Sequence, residues 1–233
     1  LMRTLWKGER VFGHDSPLGK FPYLHQADWM NEPIPLLFTA FGQQSLEFAG
    51  TVFDGVILHT FMSDEAVRRA VSLVRRGAEK AGRDPQSVKV WSVLAVACNA
   101  SEERRLKLLT ARMATYLQAP AYGELLFAIN GWDPQGLADF RNHDAVKAIP
   151  GAIDSIATTE QLRAVREAIR PEWLPAADGT PEQCAKRIVD QFDAGADGVI
   201  LHASLPDEFA PALDAYAKIR PAARFAGRTG RPA

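Results

Sequence analysis

The six residues Asp-Gly-Val-Ile-Leu-His stand twice in this chain, as Asp54 to His59 and again as Asp197 to His202. Each copy follows a segment of helical periodicity and precedes a turn. A short run of branched apolar residues, opened by Asp-Gly and closed by a polar residue, is the pattern of a strand buried on both faces of a parallel sheet. Parallel strands need crossover connections, and a strand entered from one helix and left into another belongs to a right-handed βαβ unit. The repeat therefore confines the chain to an α/β architecture with a parallel sheet.

Two further runs fit the same sheet. Ile34 to Ala40 is apolar and leads into Phe41-Gly42, after which residues 43–50 have helical spacing. Val88 to Cys98 begins as an alternating strand and becomes continuously apolar. The expected strands are thus 34–40, 54–59, 88–98 and 197–202. Between the second and third lies the clearest helix, with Ser63 as N-cap and Asp64 and Glu65 at its positive end. Val67, Val71, Val74 and Ala78 recur at helical spacing, and Gly82 stops it. Its opposite face carries Arg68, Arg69, Arg75, Arg76 and Lys80, the composition of a solvated helix face. Thr180-Pro181-Glu182-Gln183 opens another helix through a capping box with proline in first position, and Pro206 to Ile219 supplies the last.

Four strand–helix units are half of a closed eight-stranded barrel, which usually takes about 250 residues. The expected fold is about half of a (β/α)8 barrel spanning residues 1–219. A helical insertion at about 101–173, broken at Pro120, Gly131, Pro134 and Gly151, precedes the last strand. Residues 220–233, with Arg220, Arg224, Arg228 and Arg231 among Gly, Ala and Pro, are expected to form a disordered tail. Residues 9–31 have the composition of a surface loop or loose hairpin. The first eight residues have the apolar spacing of the last turns of an amphipathic helix, which favours a fragment of a longer protein over a natural half-barrel that needs a partner.

Charge and composition narrow the function. A formal net charge of -1 and a pI of about 6.6 provide no basic field, so neither nucleic acid nor an anionic membrane is an expected partner. Neither an eighteen-residue apolar run nor a secretory leader is found in the sequence, and a cytoplasmic location is expected. Cys98 and Cys184 lack CxxC spacing and suit small buried thiols in a reducing compartment. His14, His25 and His143 lack metal-ligand spacing, so no metal is expected. Nucleophile-elbow, P-loop and GxGxxG patterns are missing.

The order of short motifs is itself informative. Phe38-Thr39-Ala40-Phe41-Gly42, Leu46-Glu47-Phe48-Ala49-Gly50, the first DGVILH and the helix end Gly77 to Pro85 together resemble the bacterial luciferase-like monooxygenase superfamily. Gly179-Thr180-Pro181-Glu182-Gln183 and the second DGVILH add a late motif, and the whole resembles its deazaflavin (coenzyme F420)-dependent branch from actinobacteria. The resemblance implies a barrel with flavin or deazaflavin at the carboxyl ends of the strands. The resemblance identifies this chain as the C-terminal part of a (β/α)8 barrel, matching only from the end of the fourth helix onward, and the early strands, which in relatives carry much of the ring pocket, have no counterpart here.

The turn Ala40-Phe41-Gly42-Gln43-Gln44-Ser45 joins a strand end to a helix start, where free backbone N–H groups can hold a phosphate. On the residues alone the plain strand–helix turn, with a capping Ser or Gly, is the preferred reading. The resemblance assigns it to the cofactor, with Ala40, Phe41, Gly42, Gln43 and Ser45 as binding residues. His59 and His202 end equivalent strands, facing the rim where barrel enzymes keep their sites, and are the expected catalytic residues. Each could instead bond a neighbouring loop. Thr60, a further cofactor-binding candidate, and Ser204 are their expected hydrogen-bonding companions. Tyr116, Tyr122, Phe127 and Trp132 fall in the insertion, where aromatics at helical spacing usually belong to the core; the resemblance offers the alternative of a lid whose aromatics cover a substrate.

The resemblance implies an oxidoreductase passing hydride between reduced deazaflavin and an organic small molecule, with an FMN-dependent monooxygenase as the alternative. From another class, a non-catalytic half-barrel packing module remains open. A half-barrel exposes two sheet edges and an apolar inner face, so association, as a homo-oligomer or through those edges, is expected.

Overall fold

A computed structural model describes residues 1–26 and 34–225. The chain separates into two compact units, Leu1–Pro35 and a second from Leu36 onward, where a single domain over 1–219 is expected from the sequence. Residues 27–31 of the expected loop and 226–233 of the expected tail lie outside the described residues.

In the first unit, helix α1 (Met2–Trp6) precedes an antiparallel hairpin of β1 (Val11–Ser16) and β2 (Gly19–Leu24). Of the two forms expected for residues 9–31, the hairpin is the one adopted. Cross-strand Phe12 and Tyr23 pack at 5.2 Å between ring centroids.

The second unit alternates β3 (Leu37–Thr39), α2 (Gln43–Val52), β4 (Gly55–Ile57), α3 (Asp64–Lys80) and β5 (Lys89–Cys98). The insertion follows as α4 (Glu102–Arg105), α5 (Arg112–Gln118), α6 (Tyr122–Asn130), α7 (Pro134–Asn142), α8 (Asp144–Lys147), α9 (Ile153–Ile156) and α10 (Thr159–Glu167). Then come β6 (Ala177–Gly179), α11 (Pro181–Asp193), β7 (Gly198–His202) and α12 (Pro206–Ile219). From α4 to α5 the helix is continuous, and its middle, Leu106–Ala111, is π-helical.

All five strands of this unit are parallel and centre on β5. Its first residues pair with β4, residues 91–95 with β7, and residues 96–98 with β6. The sheet is open, an arc of strand–helix units as expected for part of a barrel. Strand β6 is the element not expected: Ala-Asp-Gly has little intrinsic strand preference, and its pairing with the end of β5 creates it.

The repeated hexapeptide does the same work in each place. Asp54 exchanges two hydrogen bonds with Leu36, N–H to carbonyl at 2.9 Å and carboxylate from N–H at 2.7 Å. Asp197 makes the same pair with Val90, at 2.7 and 2.9 Å. The next residue in each copy is a glycine on which the neighbouring strand lays a large side chain. A Cβ on Gly55 would stand 2.6 Å from Leu37, and one on Gly198 2.3 Å from the Trp91 ring. Val56 and Leu58 then turn into the core beneath α2 and α3, while Val199 and Leu201 pack against the cluster beneath α11 and α12. The aspartate sets register, the glycine admits the partner side chain, and the apolar residues bury the outer face.

Helices α2 and α3 cross where Gly50 and Gly77 meet; a Cβ on Gly77 would lie 2.0 Å from the Glu47 carbonyl. Glu47 accepts from Lys80 at 2.9 Å and from Arg76, and these partners hold its carboxyl down to about 2. The basic face of α3 is exposed at Arg68 and Arg69, but Arg75 departs from the expected solvated face. Its side chain is 14% exposed and pairs with Asp197 at 2.7 Å, because the α3 face that carries it leans against the start of β5. The expected disordered tail is also ordered as far as Phe225. Residues Ala222–Phe225 form a helical turn, with Phe225 4.8 Å from Phe192 and the Arg220 guanidinium 4.9 Å above Phe225, so aromatic and cation–π contacts fix it.

Phe127 and Trp132 join Trp173 in the core of the insertion. Cys98 and Cys184 are free and buried, the Cys184 thiol pushed up to about 12 by burial and by Cys98. Among the described residues, no helix is long and apolar enough to cross a membrane.

Candidate functional site

Three strands of the second unit leave the sheet through backbone that favours glycine, yet none of the residues is glycine. Phe61 follows β4 at φ 59°, Asn99 follows β5 at 48°, and Ala203 follows β7 at 80°. Such conformations cost on the order of 1–3 kcal/mol each and persist where packing over-determines them, typically at functional rims. All three stand at the carboxyl edge of this sheet.

His59 sits on it inside an aromatic enclosure. Ring centroids of Phe41, Tyr116 and Tyr122 lie 4.8, 5.0 and 5.3 Å from its imidazole. Its Nδ1 is 2.6 Å from the Thr60 carbonyl oxygen, which can only accept, so Nδ1 carries the proton. Nε2 is then an acceptor and is bonded by the Tyr122 hydroxyl. Burial pushes the His59 pKa below its usual value; the facing His202 adds to this and the bond to Thr60 opposes it. Burial lowers His202 as well, with Arg112 contributing. Both imidazoles are therefore neutral near pH 7. His202 Nδ1 and the Thr60 hydroxyl are buried with no hydrogen-bond partner among the described residues, an arrangement that calls for an explanation in a folded protein.

Phe41 links this enclosure to the start of α2. Helices α3, α10 and α11 are capped by Ser63, Thr158 and Thr180, whereas no side chain caps α2 at Gly42. Its first internal bond runs from Leu46 N–H to the Gly42 carbonyl, so the amides of Gln43, Gln44 and Ser45 precede the helical ladder. Gly42 has φ -80°, which any residue can adopt, and no atom lies within 4 Å of where its Cβ would be. The fold itself does not need glycine there, and a helix start whose three amides meet no capping side chain suits an anion.

The expected residues sort as follows. Phe41, His59, Thr60 and His202 gather at the rim, and Gly42, Gln43 and Ser45 form the open helix start, with Gln43 and Ser45 exposed. Ala40 is different: it is buried in the core and its N–H is bonded to the Ile57 carbonyl, so it anchors the turn. Ser204 is likewise committed, its hydroxyl donating to the Val96 carbonyl. Tyr116 and Tyr122, expected in the core, stand at the rim: α5 carries Tyr116 beside His59, and the turn after α5 brings Tyr122 back to the same imidazole. Their only sequence signal is the aromatic content around the break at Pro120.

A cleft of about 580 Å³ opens within the insertion, lined by Gln118, Arg141, Ile149 and Gly151 among others. It contains none of the rim residues, and Arg141 is already bonded to backbone and to Glu124. Chemistry points to the rim. Among the described residues, no three His, Cys, Asp or Glu side chains gather as a metal site.

Residues 1–225 match the family described as luciferase-like monooxygenase. A 5,10-methylenetetrahydromethanopterin reductase from Methanolobus tindarius is 26% identical over 168 residues, covering 72% of this chain and 47% of that protein. Similar solved structures include an F420-dependent secondary alcohol dehydrogenase (TM-score 0.58, 16% identity, 95% of this chain and 58% of that one). The coenzyme F420 dependent tetrahydromethanopterin reductase from Methanopyrus kandleri superposes with TM-score 0.57 and 18% identity over 78% of this chain and 49% of that one. The long-chain alkane monooxygenase LadA does so at 0.52 and 18% over 94% and 47%. At these identities the likeness to solved structures speaks for the fold, and the chain spans about half the length of these relatives.

Proposed function

The chain belongs to the luciferase-like monooxygenase family, and from that premise we propose that it supplies the cofactor-phosphate part of an oxidoreductase that passes hydride between a reduced deazaflavin and an organic small molecule. The observation that carries this reading is the uncapped start of α2, with open space at Gly42, set beside an enclosure holding a buried unpartnered hydroxyl and a buried unpartnered imidazole nitrogen.

The residues fit a phosphorylated deazaflavin. The amides of Gln43, Gln44 and Ser45 and the Ser45 hydroxyl would hold its phosphate, with Phe41 against its side chain and the Thr60 hydroxyl as a further donor. The deazaflavin, when bound, supplies the hydride chemistry. The protein's part is acid–base work. Hydride transfer at a carbon bearing oxygen leaves a proton to be taken up or delivered at that oxygen. His59, held neutral by burial, presents Nε2 to accept it, and His202 stands opposite as the second candidate. The aromatic wall of Phe41, Tyr116 and Tyr122 excludes water from that exchange.

FMN carries the same phosphate, so an FMN-dependent monooxygenase is the near rival within this class. A packing module is the rival from outside it, favoured by the inner sheet face, where Leu37 is 47% and Trp91 37% exposed. That face also supports association of the isolated chain, and a monodisperse monomer by light scattering would remove this part of the reading.

Equilibrium titration with deazaflavin and with FMN, followed by fluorescence, tests the proposal. Saturable deazaflavin binding is expected. Gly42→Val should weaken it roughly tenfold, the scale of one charge-assisted hydrogen bond, at a stability cost of no more than about 1 kcal/mol from the poorer N-cap. Absence of binding to either cofactor by a chain shown to be folded overturns it.

A further inference from the structure

Tyr122 lies in the insertion, 63 residues from His59 in sequence. The segment that delivers it is built with unusual care. Ala121, immediately before it, holds φ 64°, a left-handed conformation that costs an alanine about 1 kcal/mol or more. Gly123, immediately after it, allows the start of α6 to press against the end of α5: a Cβ there would stand 2.7 Å from the Leu117 carbonyl and 2.9 Å from the Arg141 guanidinium. Arg141 then ties the turn together. It donates to the Leu117 carbonyl at 2.8 Å, to the Ala119 carbonyl at 3.1 Å and to the Glu124 carboxylate at 2.9 Å. This fork pairing holds the Glu124 carboxyl down to about 2. A strained alanine, an obligatory glycine and a five-donor arginine all act on one elbow, and the side chain at its tip is Tyr122.

We propose that Tyr122 is a positioning residue for His59: the elbow presents its hydroxyl to the imidazole and fixes the neutral Nδ1–H tautomer, with Nε2 as the proton-accepting atom. The Thr60 carbonyl alone does not select this state, since a protonated imidazole would satisfy it equally; a hydroxyl donating to Nε2 excludes the proton from that nitrogen. A substrate hydroxyl that displaces the Tyr122 hydroxyl would find the acceptor already formed and oriented. This assignment rests on reading the rim as the reaction face, and it names an alcohol or other O–H donor as the group His59 is set to receive. The charged and titratable groups facing His59 are Tyr116 and Tyr122 from the insertion and His202 from β7, with Arg112, paired to Asp154 at 2.9 Å, bordering Tyr116 and His202.

The test is a pH titration of ¹⁵N-histidine-labelled full chain by NMR with no cofactor present, the His59 signals being assigned by their loss in His59→Gln. Wild type should show the Nδ1–H tautomer. Tyr122→Phe keeps the ring and removes only the hydroxyl. It should raise the His59 pKa by roughly 0.5–1 pH unit, one neutral hydrogen bond's worth, and populate the Nε2–H tautomer. Gly123→Ala, which displaces the elbow without touching the imidazole, should move His59 in the same direction. Superimposable His59 titrations in wild type and Tyr122→Phe overturn the proposal, whatever happens to the melting temperature. Because the readout needs no cofactor, failure here leaves the cofactor titration free to stand or fall separately.

Discussion

The two copies of DGVILH are identical in sequence and in their first two duties, yet they differ in what surrounds the ends. Both aspartates bridge to backbone at the start of a neighbouring strand, Leu36 just before β3 and Val90 second in β5, and both glycines lie under the next side chain along, Leu37 or Trp91. At Asp197 an arginine buried to 14% exposure joins the bridge. At the other end, His59 has both ring nitrogens bonded, while Nδ1 of His202 has no partner among the described residues. The shared duties are structural and the divergent ones lie at the rim. A repeat of this kind sets the backbone twice, and the neighbours give the two histidines different partners.

The comparison breaks hardest at the aspartate. Asp197→Ala should lower unfolding free energy in urea by about 3 kcal/mol, because Arg75 would keep its buried position without a counter-charge. Arg75→Met in the same background should recover part of it. A loss of only about 1 kcal/mol would mean that the ion pair adds nothing to the backbone bridge common to both copies.

At the glycines the order should reverse, with the first copy the more sensitive. Gly55→Ala would press on the Lys89 carbonyl at 2.9 Å, which is backbone, whereas the atoms nearest a Cβ on Gly198 belong to the side-chain ring of Trp91, a residue 37% exposed. Both should cost about 1–3 kcal/mol. Only Gly198→Ala should shift the tryptophan emission to the red, and equal emission spectra would break the distinction.

The histidines predict a pH dependence. Unfolded imidazoles titrate at about 6.5, and both folded ones lie lower. Between those values the unfolded chain binds more protons, so stability rises with pH through that window and is lost as pH falls below about 6.5. Melting temperatures from about pH 7.5 to about pH 5 should show this, and His59→Gln should flatten the curve. A slope unaltered by that change would remove His59 from the account.

The smallest effect is a gain. After the first copy, α3 starts at Ser63, whose hydroxyl accepts from Ala66 at 3.2 Å; after the second, α12 starts at Leu205, which is 63% exposed and in extended backbone. Leu205→Ser should give the second copy the cap of the first and add about 0.5–1 kcal/mol in the same urea measurement.

Much of this was legible in the residues because the signals are local. Branched apolar runs, capping boxes and glycine stops give α2, α3, β5, α11, β7 and α12 to within a few residues, and the repeat itself points to His59 and His202 as equivalent ends. What escaped depends on contacts between distant segments. Strand β6 exists only through β5, Arg75 meets its counter-charge only when Asp197 arrives 122 residues later, and Tyr122 meets His59 only once α5 and α6 have folded back. No periodicity records those meetings. The turn at Gly42 is an intermediate case, since its sequence permits both a plain connection and an anion site, and only the missing cap and open space separate them.

The π-helical segment at Leu106–Ala111 has a bearing on the rim that its position in the middle of a core helix does not advertise. A π turn is an α-helix carrying one residue too many, so it acts as a phase shifter: everything after it is rotated by about 100° relative to an uninterrupted helix. Arg112 and Tyr116 lie just beyond it. In the unshifted phase the helix could still bury Leu106 and Leu109, but the face that now bears Tyr116 toward His59 would be turned aside. The Tyr116 side of the aromatic wall therefore owes its aim to a single surplus residue, and removing one residue from 106–111 should turn that ring away from His59 while leaving the sheet intact.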